Sequence, residues 1–490
     1  MTPPIEVVYG GSGDDLQLVV RGAAHGELGR WRSSFGDGLL DCAGFDGTPG
    51  TTLVLPAGSG VEVLAGLGDR ARLDLESLAT TMRAAGATVA EAIEVAVDLA
   101  GLVVPGTDQA GLARLVVESI AHGAYRYAGH ATARRARSLR RIRLLGVAGE
   151  AELDAALTEA ALASEAVELA RDLVNEPAGC LPPRRFAELA EEIAEREGLT
   201  HARLGVHDLE AGGFGGILAI GRGSSEPPCL VQLGYDPGGD VPSVALVGKG
   251  VVFDSGGLSL KSPEALMTMK HDKAGAAAVL AVMSVAGRLG LQVRVDAFLP
   301  LVENMPGPDA VRIGDVVRTH GGRTVEILNS DFEGRVILAD ALALAVSHRP
   351  DAILDIATLT ESCIVALGEE IAGLIARDDQ TAGIVLAAAA EAGEPLWRLP
   401  YAQRYRAAVR SDVADVKNFP GERFGRALTA ALFLGEFVPE EIPWAHLDIA
   451  GPAWRHRGGS DGATGFGVAT LLRVLQRYSR TSHSTTKEIV

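Results

Sequence analysis

VGKGVVFDSGGLSLKSPEALMTMKHDKAG, residues 247–275, carries four of the chain's six lysines: Lys249, Lys261, Lys270 and Lys273. The other two are Lys417 and Lys487, and the remaining 39 of 45 cationic residues are arginine. A guanidinium keeps its proton in a protein, whereas an amine gives it up when desolvated or placed beside a cation. Lysine in an arginine-rich chain therefore marks positions where a compact or deprotonatable amine matters. The stretch begins where an apolar run, SVALVG (243–248), ends.

That run reads as a buried strand, as do RVDAFLPLV (294–302) and AILDIATL (352–359). Helical patterns such as RRFAELAEEIAEREG (184–198) and ILADALALAVSH (337–348) alternate with them. Strands apolar on both faces and separated by helices imply an α/β fold with a mostly parallel, helix-covered sheet. Upstream, TTLVLP (51–56) and VEVLAGLG (61–68) read as buried strands and RRIRLLGVA (140–148) as another. DLESLATTMRAAG (74–86) and DQAGLARLVVESIAHGAYRYAG (108–129) read as amphipathic helices. A long helix over 150–174 then ends in NEPAGCLPP, a Pro/Gly boundary. At 490 residues the chain exceeds one core. The expected organisation is an N-terminal α/β domain (1–149), a linker helix (150–174), a C-terminal catalytic α/β domain (175–478) and a disordered polar tail (479–490).

Composition is that of a soluble globular protein, 47% apolar and 22% charged. A net charge of −18 argues against a nucleic-acid phosphate binder. The basic run ARRARSLRRIRLL (133–145) reads as a solvated helix end and strand edge. Cys42, Cys180, Cys229 and Cys363 are far apart, which excludes a disulfide framework or thiolate zinc site. With no leader pattern and no membrane-length apolar run, the expected setting is the reduced cytoplasm. His271 and His446 are read as hydrogen-bonded structural histidines. No HExxH, GxSxG, phosphate-loop or dinucleotide motif occurs.

Asp254 and Asp272 lie within the lysine-bearing segment, and LNSDFEGRVILADAL (328–342) adds Asp331, Glu333 and Arg335. Carboxylates without His or Cys suit hard or borderline divalent metals, and a neutral lysine amine completes such a site. Clustered carboxylates repel one another unless cations hold them. SDFEGR also precedes an apolar-periodic helix whose positive N-terminus stabilises anions.

These stretches resemble the leucine aminopeptidase (cytosol aminopeptidase) family of two-metal exopeptidases. The likeness rests on VGKGVVFDSGGLSLK and NSDFEGRVILADAL. It continues through GDVVRTHGGRTVEILN, DIATLT, SDVADVKN, TAALFLGEFV, WAHLDIAG and GATGFGV, about residues 170–478. The resemblance implies that Lys249, Asp254 and Asp272 ligate the metal receiving the substrate's α-amine. Asp331 would hold the second metal, with Asp254 reaching both and Glu333 bridging them. Lys261 and Arg335 would be the catalytic cations, and Arg335 would hold a proton-shuttling bicarbonate. Zinc or manganese is implied, with cobalt or magnesium as alternatives. Met269, Asn329, Phe332, Thr358, Leu359 and Glu361 would line the substrate pocket. The implied assembly is a homohexamer acting on peptides or aminoacyl amides. Lys270 and Lys273 have no role in this scheme and are read as surface charge.

Four positions depart from the family pattern. Phe332 replaces a small residue, often Ala, between the signature Asp and Glu. Glu361 stands where TLTG has glycine, and Phe424 and Arg426 intrude where the family reads RAGGAITAA. The chemistry is therefore expected intact with a rebuilt first-residue pocket, Glu361 pairing internally with Arg426 or with a substrate cation. The same chemistry specialised for one unusual amide or dipeptide is a second reading. A non-catalytic scaffold or DNA-binding regulator is a third.

Overall fold

The computed structural model describes residues 4–10, 17–35, 39–57, 60–130, 132, 138–149, 151–455 and 462–484. The chain divides into two compact units, residues 1–168 with 390–393, and residues 169–389 with 394–490. The division falls inside helix Ala151–Asn175, the segment read as a linker.

The first unit is built on a six-stranded sheet in the order Glu6–Tyr9, Arg141–Leu145, Glu94–Asp98, Leu18–Ala24, Gly60–Gly68, Thr52–Ala57. All its pairs are parallel except the last. Helices Leu75–Thr88 and Gln109–Ala124 start where Asp74 and Asp108 accept the backbone N–H of Ser77 and Gly111, satisfying donors that a helix start leaves free. Val20, Val63, Leu78, Val97, Val116 and Ile142 are buried in this unit's core. The stretch TTLVLP departs from its buried reading. Strand Thr52–Ala57 is an edge strand in which Leu55 is buried while Val54 is 53% exposed, because it has a neighbour on one side only. Of the basic run, 133–137 lie outside the described residues. Arg141 and Arg143, further along, form ion pairs with Glu6 (2.6 Å) and Glu94 (3.0 Å), as a solvated strand edge does.

The second unit carries a nine-stranded mixed sheet. Its main path runs Leu396–Arg398, Ala372–Ala376, Trp444–Asp448, Ala352–Ala357, Ser243–Gly248, Arg294–Asn304, Cys229–Tyr235, Thr200–Leu204. The central pairs are parallel, and antiparallel pairs enter at both flanks. Ser243–Gly248 and Ala352–Ala357 are buried along their whole length, which is why both read as continuous apolar runs. Arg294–Asn304 pairs first with Ser243–Gly248 and then with Gly250–Asp254. The chain therefore breaks step at Lys249, whose N–H donates to Ile356 O while its own carbonyl accepts from Ala276 N. Helix Ala274–Ala286 is buried throughout, and Gly275 lets it approach the sheet: a Cβ there would lie 2.1 Å from Ile356 O.

Two readings are corrected here. Lys270 and Lys273 are not surface charge. Lys270 Nζ donates to Asn175 O (2.6 Å) and Lys273 Nζ, fully buried, to Glu176 O (2.7 Å). They satisfy carbonyls that a helix C-terminus leaves without partners. Burial, and then Lys270 beside it, pushes the Lys273 amine down to about 7. The polar tail is also shorter than expected, since helix Val468–Ser484 runs into it. Continuing a helix asks only one further hydrogen bond per residue. Residues 485–490 lie outside the described residues, and no described helix is long and apolar enough to cross a membrane.

Gly275→Ala is expected to lower the unfolding free energy by about 1–3 kcal/mol, as overpacking of a close contact does. Denaturant titration checks this. An unchanged midpoint would show that the strand and helix separate without loss.

Candidate active site

The site forms at the carboxyl ends of the central strands. Strand Ser243–Gly248 delivers Lys249, and Gly250–Asp254 delivers Asp254. Both side chains are almost completely buried. A turn through Gly256 (φ 86°) and Gly257 (φ 61°) then reverses the chain toward Lys261. A Cβ on Gly256 would stand 2.5 Å from Ser259 O and 3.0 Å from Asp331 Oδ1, so only glycine fits. Buried Ser330 pins the turn, donating to Gly256 O (2.7 Å) and accepting from Ser259 N (2.8 Å). The 3-10 segment Met269–Lys273 supplies Asp272. The loop entering helix Gly334–Ser347 supplies Asp331 and Glu333, and the helix itself begins with Arg335 in its first turn.

These elements bring five carboxylate and amine groups of the expected ligand set together with Lys261. Lys249 Nζ lies 2.8 Å from both Asp272 Oδ1 and Glu333 Oε1 and donates to Thr358 O at 2.9 Å. Lys261 Nζ lies 2.8 Å from Asp254 Oδ2 and 2.5 Å from Asp331 Oδ1. Asp254, Asp331 and Glu333 each offer an oxygen within 4.8 Å of the others. Gly334 admits Lys249, because a Cβ there would lie 2.6 Å from its Nζ.

Burial raises the carboxyl groups of Asp254 and Asp272, and it raises Asp331, next to Asp254, to about 7. Burial alone would lower the lysines. For Lys249 the carboxylates of Asp272, Glu333 and Asp254 outweigh it, and for Lys261 those of Asp254, Glu333 and Asp331 do, so both amines are held above the ordinary range. The neutral Lys249 expected from sequence is thus not the form these neighbours favour. A ligating amine there requires a metal cation to take the proton's place. The donor set fits such a cation: carboxylate oxygens converge, and buried Asp272 Oδ2 has no hydrogen-bond partner among the described residues.

Two supporting residues, Asn304 and Asn418, were not singled out from sequence. Asn304, buried, donates to Asp254 Oδ1 (2.7 Å) and Ser330 O (2.9 Å). Asn418, also buried, receives Leu328 N–H at 2.9 Å and donates to Asn329 O at 2.7 Å, holding the loop that presents Asp331 and Glu333. Its only sequence signal was its place at the end of SDVADVKN. Thr358 Oγ1 donates to Asp272 Oδ1 at 2.6 Å. His446 is buried with Nδ1 2.5 Å from Asp355 Oδ1, and His271 Nδ1 is 2.6 Å from Thr268 O.

The remaining pocket residues are spread around this centre. Asn329 Oδ1 accepts Asp331 N–H (2.8 Å), Leu359 N–H donates to Asp448 (3.2 Å), and Met269 is half-buried. Arg335, 1% exposed, donates to Asn418 O (2.9 Å) and lies over the Phe332 ring at 4.6 Å. Burial pulls its guanidinium down to about 9, so it stays cationic at neutral pH. The expected Glu361–Arg426 pair is not formed. Glu361 is exposed at the start of helix Glu361–Leu367. Arg426 instead lies over Phe332 (5.6 Å) and Phe419 (5.2 Å), so the aromatic intruder takes the guanidinium. A cleft of about 590 Å³ elsewhere in this unit is lined by Arg323, Arg377, Arg406 and Glu436. Its charges satisfy one another, Arg406 pairing Glu436 at 2.7 Å and Arg377 capping carbonyls. It offers no comparable chemistry.

Comparison with known proteins agrees with the geometry. Residues 168–472 match the catalytic-domain model of the cytosol aminopeptidase family, and residues 38–133 match its N-terminal-domain model. A probable cytosol aminopeptidase of Streptomyces coelicolor is 41% identical over 463 residues, covering 89% of each chain. One of Leifsonia xyli is 40% identical, covering 98% of this chain and all of its own. Among solved structures, the bottromycin maturation enzyme BotP in complex with Mn superposes with a TM-score of 0.84 at 40% identity, covering 94% of this chain and 99% of its own. A tomato leucine aminopeptidase mutant superposes at 0.86 and 31% identity, covering 97% of each. The chain belongs to the cytosol aminopeptidase family and is a metal-dependent aminopeptidase.

Proposed function

We propose that the chain removes the first residue of short peptides with two divalent cations, and that its first-residue preference is not for leucine. The observation carrying this reading is the knot of buried Lys249, Asp272, Glu333 and Asp254 with half-buried Lys261 and Asp331. Lys249, Asp254 and Asp272 would hold the cation that receives the α-amine. Asp331, Asp254 and Glu333 would hold the other, with zinc or manganese favoured over cobalt or magnesium. The manganese complex of BotP supports that choice. When bound, the pair supplies a nucleophilic water at neutral pH and Lewis acidity at the scissile carbonyl.

The chain's own residues supply the rest. Lys261, kept charged by Asp254 and Asp331, donates to the oxygen charge that develops on the carbonyl. Thr358 and Asn304 fix the orientation of Asp272 and Asp254. Arg335, its buried Nε without a hydrogen-bond partner among the described residues, is a seat for a small oxyanion such as bicarbonate that would hold the transferred proton. Glu361, exposed and three residues beyond Thr358, has no internal cation among the described residues. Of the two expected outcomes for this carboxylate, the substrate cation is therefore the one retained, and a lysyl or arginyl first residue is the favoured substrate. A homohexamer in the cytoplasm is the setting we propose, the location supported by the relatives named cytosol aminopeptidases.

Chelation should abolish turnover and a divalent metal should restore it. Metal analysis finding one ion or fewer per active chain would end the two-cation reading. Lys261→Ala is expected to keep its metals and lose about 10²–10³-fold in kcat, the usual effect of deleting an oxyanion donor. Near wild-type kcat would remove its assigned role. Gly334→Ala should displace Lys249 and lower bound metal, checked by metal content in the folded variant. Glu361→Gln should reduce the preference for lysyl over leucyl substrates about twofold to fivefold, in keeping with an exposed ion pair. A wild-type enzyme that already prefers leucyl substrates contradicts the pocket assignment.

A further inference from the structure

Arg426 stands beside the centre with no carboxylate partner among the described residues. Its Nε donates to Glu422 O at 2.9 Å, and its guanidinium lies over Phe332 and Phe419, two rings packed edge to face at 4.9 Å. Arg335 lies on the same Phe332 ring, and its Nε is buried without a hydrogen-bond partner among the described residues. Two guanidiniums so close repel each other, and Arg426 contributes to the lowering at Arg335. Arg426 also opens helix Arg426–Gly435, which has Gly425 as its N-cap and no side-chain cap. The free N–H groups of such a helix start add to the attraction for an anion. The two rings and the Glu422 carbonyl hold the Arg426 guanidinium in place and leave its outer nitrogens for a carboxylate, which a guanidinium fork binds bidentately.

Resting on the proposed two-cation reading, the substrate's direction follows from the residues around it. The α-amine belongs at the Lys249, Asp272 and Thr358 end. In this reading Phe332, which the chain places between the second-cation candidates Asp331 and Glu333, belongs to the departing residue's side and not to the first-residue wall expected from sequence, so the departing residue extends toward Phe332 and Arg426. One residue spans about 3.3–3.6 Å of extended chain, which brings a carboxylate on the departing residue toward the Arg426 fork. We infer that Arg426 is a specificity residue that receives the α-carboxylate of the departing amino acid, and that the enzyme acts best on free dipeptides. In a longer peptide or an amide that position is neutral, and the attraction is lost.

The test measures kcat/KM of the metal-loaded enzyme for a dipeptide, its C-terminal amide and the tripeptide sharing its first two residues. The acid should exceed the amide and the tripeptide by at least about tenfold, as a charge-assisted hydrogen bond warrants. R426Q should abolish that difference, and R426K should keep part of it as a point charge. Calorimetry with a reduced-bond dipeptide, as acid and as amide, reads the same preference without turnover. A chain that hydrolyses nothing would defeat the aminopeptidase reading, while the calorimetric difference still judges Arg426. Equal values for acid and amide in both measurements, or an equal loss for both in R426Q, would overturn the inference. Added bicarbonate that raised the amide to the level of the acid would overturn it as well, by assigning Arg426 to a free oxyanion.

Discussion

Charge balance inside a buried centre is the constraint on which the catalytic unit depends. Asp254, Asp272 and Glu333 are each 4% exposed or less, and Lys249, which answers them, is 3% exposed. An ion out of water without a partner costs several kcal/mol, so each of these side chains is held where an opposite charge meets it. The local backbone follows from that demand. The break in strand pairing at Lys249 turns its amine toward Asp272 and Glu333, and the Gly256–Gly257 turn brings Lys261 back between Asp254 and Asp331. Cations in the centre would relieve the same repulsion, so the polypeptide and its metals share one electrostatic task.

The sheet makes this convergence feasible. In open α/β sheets ligands gather outside the carboxyl ends of parallel strands. Lys249, Asp254, Thr358 and Asp448 all sit at or just beyond such ends, from strands that are neighbours or share a partner. Because the strands below are mostly apolar on both faces, with Asp355 and His446 satisfying each other inside the sheet, the side chains of the centre gather at the rim. Asn304 and Asn418 complete the arrangement by filling hydrogen-bond sites that the loops would otherwise leave open.

Around this centre two of the positions that depart from the family pattern, Phe332 and Arg426, pack against each other. Phe332 stands between Asp331 and Glu333 in the chain, and its ring carries both Arg335 and Arg426. A large side chain at this point reorganises the cations nearby in addition to occupying space. Lys273 shows a related economy. Its buried amine closes the end of helix Ala151–Asn175 one residue after Asp272, tying a helix terminus to the segment that presents a metal-ligand candidate.

Sequence by itself determined the element types over most of the chain, because apolar runs and helical periodicity record burial directly. It also singled out the charged residues that the fold brings together around Lys249 and Lys261, because those residue types occur in a spacing that resembles one family. What it could not decide were properties set by neighbours distant in the chain. The edge position of Thr52–Ala57 depends on which strand fails to arrive. The protonated form of Lys249 depends on Asp272 and Glu333, 23 and 84 positions away by their numbers. The burial of Lys273 depends on a carbonyl 97 residues earlier. Only the tertiary structure separated Glu361 from Arg426, since a pair of complementary charges in a sequence carries no information about which aromatic ring claims the guanidinium first.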